Sequence, residues 1–66
     1  MIIVVNGQQR DITAGCTGVK LLEELDLTAE RIAVERNGEV MNRQTFAACA
    51  LAAGDVIEIV RFVGGG

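Results

Sequence analysis

Sixty-six residues with six basic and nine acidic side chains carry a net charge of −3 and contain no histidine. A chain this short forms one domain that buries about 60% of its unfolded surface, too little to enclose a sizeable substrate. Without histidine or a CxxC pair, the usual zinc spacings and the Cys/His and Ser/His nucleophile pairs are excluded, and singly scattered basic residues argue against a nucleic-acid partner.

The apolar start Met1–Val5 stops at Asn6-Gly7. It is too short to span a membrane and lacks the basic opening of a signal peptide. Asn6-Gly7 separates Met1–Val5 from Gln8–Thr13, and Asn37-Gly38 separates Ile32–Arg36 from Glu39-Val40-Met41. Asn-Gly between strand-like runs predicts a type I′ hairpin, because both central residues must accept positive φ. Four strands follow from these two turns.

Between the hairpins the pattern predicts a helix capped by Thr17, without the acidic residue that would complete a capping box. Val19, Leu21, Leu22 and Leu25 fall on one arc of its wheel, and Lys20, Glu23 and Glu24 on the other. Cys16, just before the cap, is placed to pack on Leu21. Cys16 and Cys49 are the two cysteines; a disulfide between them is open, but isolated cysteines without a secretion signal read as buried thiols of a reducing cytoplasm.

The alanine-rich run 44–53 ends at Gly54. One short helical turn near Thr45–Ala47, followed by irregular or bridge-like chain, is expected, since a second long helix needs an apolar face of its own. The final strand, Val56–Phe62, splits by parity. Ile57 and Ile59 share a face with Arg61, and Val56, Glu58, Val60 and Phe62 share the other. Glu58 resists unpaired burial, so the isoleucine face should meet the helix. That leaves Val60 and Phe62 outside, beside Val63 and the glycine tail Gly64-Gly65-Gly66.

Apolar first and last strands are expected to lie side by side and parallel, with the helix across one face. The fold class is α+β, a ubiquitin-like β-grasp with a mixed four- to five-stranded sheet and one helix. Residues 1–63 form the domain, and residues 64–66 a flexible C-terminal tail. Glycine lacks Cβ, so such a tail passes through clefts closed to other residues. The carboxylate of Gly66 is the candidate reactive group, Gly64 and Gly65 the segment entering a partner's active site, and Val60, Phe62 and Glu58 the candidate docking surface.

Val34-Glu35-Arg36-Asn37-Gly38-Glu39-Val40 with Arg43, and Gly54-Asp55-Val56-Ile57-Glu58-Ile59-Val60 followed by Phe62-Val63-Gly64-Gly65-Gly66, resemble the middle and closing motifs of the ThiS sulfur carriers of thiamine biosynthesis. Asn42 and Phe46 depart from the proline and tryptophan common in that family. The resemblance implies a carrier rather than an enzyme, a monomer when free, with no cofactor or metal of its own. A ThiF-like adenylating enzyme would use Mg-ATP to adenylate Gly66. A persulfide donor would then convert the adenylate to a thiocarboxylate, whose sulfur thiazole synthase (ThiG) takes up. A molybdopterin-synthase-type carrier and a ubiquitin-like modifier conjugated through Gly66 remain alternatives from the same features.

Overall fold

The computed structural model describes residues 1–28 and 31–62. Strands β1 (Ile2–Val5) and β2 (Gln8–Asp11) form the first hairpin, followed by helix α1 (Gly18–Glu24). Strands β3 (Ile32–Arg36) and β4 (Glu39–Met41) form the second, and helix α2 (Arg43–Ala48) precedes β5 (Val56–Arg61). The sheet order is β2-β1-β5-β3-β4, with β5 parallel to β1 and antiparallel to β3. The last strand is therefore the middle of the sheet, as a β-grasp requires.

Both hairpin turns are of the expected type. Asn6 and Gly7 have φ of 51° and 80°, and Asn37 and Gly38 have 53° and 83°. These are the paired left-handed conformations that match the twist of the flanking strands.

Helix α1 starts where Thr17 accepts a hydrogen bond from the Lys20 N–H at 3.4 Å. Its buried stripe begins one residue earlier than the hydrophobic pattern predicts. Gly18, Leu21 and Leu22 are buried and Leu25 is half-buried, an i, i+3, i+4, i+7 series, while Val19 is 43% exposed. Val19 was expected on the core side; the position is taken by a glycine, which a hydrophobicity pattern does not count. The reason is contact with α2. A Cβ at Gly18 would fall inside van der Waals distance of the Phe46 carbonyl and ring. The helix ends in a Schellman arrangement, with Leu27 N–H bonded to Leu22 C=O at 2.8 Å and Asp26 N–H to Glu23 C=O at 3.1 Å. Asp26, at φ 60°, occupies the left-handed position that glycine usually fills.

Helix α2 is longer than the single turn expected at 45–47. Asn42 makes that possible, accepting from the Thr45 N–H at 2.7 Å as its N-cap. The chain then forms an isolated antiparallel bridge between Thr17 and Ala50, the irregular continuation the sequence implies. Phe46, fully buried, plugs the core among Ile3, Leu21, Leu22, Val34 and Ile57. Both cysteines are free thiols, Cys16 buried and Cys49 half-buried.

Because Gly18 sets the distance between the helices, Gly18→Ala is expected to destabilise the domain by about 1–3 kcal/mol through overpacking. Helix propensity alone predicts the opposite sign. A thermal melt distinguishes the two: the midpoint should fall, not rise.

Candidate functional site

Strand β5 carries the candidate site, and side chains from both hairpin turns hold its backbone. At the first turn, Asn6 donates its main-chain N–H to Ile57 C=O at 2.9 Å. Its side-chain amide then accepts from Ile59 N–H at 2.7 Å and donates to Ile59 C=O at 3.2 Å. The amide thus stands in for one more peptide unit, extending the β1–β5 ladder past the point where β1 turns away. At the second turn, Asn37 N–H bonds Val56 C=O at 2.7 Å and its side-chain oxygen accepts from Val56 N–H at 2.9 Å. Each turn asparagine therefore supplies positive φ and also pairs with the central strand.

Asp55, just before β5, is the buried charged residue among the described residues, 6% exposed. Its Oδ2 accepts from Arg36 Nε at 3.0 Å and the Ala52 N–H at 2.9 Å, and lies 2.9 Å from Arg36 Nη2; its Oδ1 accepts from Asn37 Nδ2 at 3.1 Å. Arg36 also donates to Ala50 C=O at 3.1 Å. Burial disfavours the charged carboxylate, but the bonds from Ala52, Asn37 and Arg36 outweigh it and hold the Asp55 pKa below the ordinary carboxylate value. The two sequence motifs that carry the family resemblance are thus physically joined. Nothing in either motif alone signals that Arg36, Asn37 and Asp55 meet.

Parity along β5 is as expected. Ile57 and Ile59 are buried, whereas Val56, Glu58, Val60 and Phe62 are exposed, Val60 by 58% and Phe62 by 53%. Pairing continues to the strand's end, where Phe62 N–H bonds Arg31 C=O at 2.9 Å. Val56 is the register partner of Val4, and Val60 that of Ala33. Exposed Val40 lies across from Glu35 on the same side. The outer face is thus apolar at Val40, Val56, Val60 and Phe62 but interrupted between them by Glu58 and its cross-strand partner Glu35. Gly64, Gly65 and Gly66 lie outside the described residues.

Burial and the nearby Glu24 carboxylate push the Cys16 thiol up despite Lys20, which disfavours the nucleophilic thiolate. Cys49 donates its thiol to the Thr45 carbonyl at 3.2 Å. A cavity of about 230 Å³ between α1 and the β1–β2 hairpin is lined by Val5, Leu25, Leu27 and Ile59, with Arg10 as its charged residue. It is smaller than the pockets of roughly 300–1,000 Å³ that enclose small-molecule ligands. Among the described residues, no helix is long and apolar enough to cross a membrane.

The sequence model of the ThiS family matches residues 3–66. This chain belongs to the ThiS family. The sulfur carrier protein ThiS of Bacillus subtilis is 44% identical over 46 residues, 70% of each chain. A ThiS-family crystal structure, the thiamine biosynthesis protein ThiS of Geobacter metallireducens, superposes with a TM-score of 0.80 at 36% identity, covering 100% of both chains. The whole chain also aligns at 42% identity with thiazole synthase of Paramagnetospirillum magneticum, but spans only 20% of that protein's length. The β-grasp fold and the ThiS resemblance are thereby established for this chain.

The Asp55 network generates a pH prediction. Because the folded carboxyl binds its proton less tightly than an unfolded one, its contribution is fully present above about pH 4 and is lost as pH falls through the depressed folded value. Replacing Asp55 by Asn should cost about 2–3 kcal/mol at neutral pH, by leaving Arg36 without its counter-charge. Melting midpoints recorded from pH 7 downward should converge for the wild type and Asp55→Asn under acid.

Proposed function

We propose that this chain is a cytoplasmic sulfur carrier of thiamine biosynthesis that works through the carboxylate of Gly66. The observation that supports this most is the family match, which runs through both motifs to the last residue of the sequence. A carboxylate is a poor electrophile. Attack of a Gly66 oxygen on the α-phosphate of Mg-ATP, in a ThiF-like adenylating enzyme, releases pyrophosphate and leaves an acyl-adenylate with a good leaving group. The terminal sulfur of a persulfide donor then attacks the acyl carbon and AMP departs. Cleavage of the remaining S–S bond, with a thiol as reductant, leaves a thiocarboxylate whose sulfur is nucleophilic yet tethered.

Likeness to part of a thiazole synthase supports thiazole synthase as the acceptor of that sulfur. In this reading the carrier is a co-substrate: ATP, magnesium and the donor cysteine belong to its partners. The domain's share of the work is to hold β5 rigidly and present Gly64-Gly65-Gly66 from its end. The outer face, with Val60, Phe62 and Glu58, docks the domain so that the glycines reach the partner's active site.

Two variants test these parts separately. Deleting Gly66 should abolish AMP-linked product when the chain is mixed with its adenylating enzyme and Mg-ATP, while the melt is unchanged; normal loading would remove Gly66 as the acceptor. Phe62→Ala should weaken binding to that enzyme by roughly 1–3 kcal/mol. Its melting midpoint should hardly move, because the side chain is largely exposed. A large loss of stability with unchanged affinity would assign Phe62 to the core and contradict the docking role.

A further inference from the structure

Glu35 of β3 and Glu58 of β5 are direct cross-strand partners. They share the outer face, since their sequence neighbours Val34, Ile57 and Ile59 are buried. Carboxylates so placed have Cβ atoms about 4.5–5.5 Å apart and repel. Among the described residues, no ion pair involves either carboxylate. Arg31 shares the parity of this face, but it lies four residues before Glu35, beside Phe62 at the end of the strand pairing. The basic strand residues Arg10, Arg36 and Arg61 sit at register positions opposite Ile3, Ile57 and Ile32, on the inner side. The free domain therefore carries a like-charge pair in its sheet, set among Val40, Val56 and Val60.

We infer that Glu35 and Glu58 together form a receptor for a single basic side chain, an arginine by preference, from the protein that docks on this face. A guanidinium fork can bond both carboxylates at once and cancels their repulsion, and the surrounding valines then exclude water from the contact. A second copy of this chain is the wrong occupant: a two-fold pairing centred on this pair brings four carboxylates together, while Arg31 stands apart at the end of the strand pairing, beside Phe62. An anionic surface is repelled for the same reason. The occupant is a protein surface with an arginine framed by apolar side chains. This inference rests on the docking reading above and adds the chemistry of the partner.

The test uses Glu35→Gln, Glu58→Gln and the double variant, with Phe62→Ala as an independent probe of docking. Each is melted alone and titrated into the ThiF-like adenylating enzyme at low and high salt. The Gln variants should melt about 1–5 °C higher than wild type, because the repulsion is relieved. They should also bind about tenfold or more weakly, with a flatter salt dependence. In a double-mutant cycle the two losses should be strongly non-additive, since one cation serves both carboxylates. Gln variants that bind like wild type, while Phe62→Ala does not, would overturn the receptor and leave the docking face standing. A lower midpoint in the Gln variants would show a stabilising structural pair and also overturn it. If the wild type itself neither binds nor is loaded, the proposed function fails and the inference falls with it.

Discussion

Around the carboxylate of Asp55, donors arrive from separate parts of the chain: Arg36 and Asn37 from the second hairpin, and the Ala52 N–H from the loop after α2. Its own backbone carbonyl accepts from Val4 N–H at 2.9 Å, which ties in the first strand. The entry point of β5 is thus fixed against β1, β3 and the loop at once. An apolar replacement of the whole group need not weaken the domain, because burying two charges costs much of what their pairing returns. Removing one partner is different, since the other is left facing a poorly solvated site.

Everything downstream of that point inherits its position. Asn37 pairs with Val56 and Asn6 with Ile59, so β5 is held by side-chain amides at two places in addition to its ladders. Such anchoring matters in a domain with no disulfide and a small core. The proposed carrier role asks that the chain be held rigidly up to a defined residue. Backbone pairing here reaches Phe62, two residues before Gly64 in the sequence. In the proposed reading β5 contributes Val60 to the docking face and also leads toward the glycines, so docking and delivery would share one geometry.

Much of this was legible in the sequence. Asn-Gly turns announce themselves because few dipeptides accept two consecutive positive φ angles, and the parity of β5 follows from the cost of burying Glu58. The parts that were not legible have a common cause. Gly18 carries the buried stripe of α1 by having no side chain, so the periodicity pointed to Val19 instead. Asp26 ends the same helix in a conformation that glycine normally signals. Asp55, Arg36 and Asn37 are ordinary turn and strand residues until the fold brings positions 19 residues apart within hydrogen-bond distance. Local patterns report local geometry; contacts made without a side chain, or between distant polar groups, leave no periodic trace. The candidate terminus was singled out for a chemical reason, as a glycine carboxylate, and Gly66 lies outside the described residues.

The central claim, that this domain carries sulfur on its last residue, is a statement about covalent mass. Intact-mass analysis of the protein isolated from its native host during active thiamine synthesis addresses it directly. The account predicts a fraction of molecules in which one oxygen is exchanged for sulfur, with fragmentation placing the exchange at Gly66. A chain found only unmodified, or joined through Gly66 to lysines of other proteins, would contradict it.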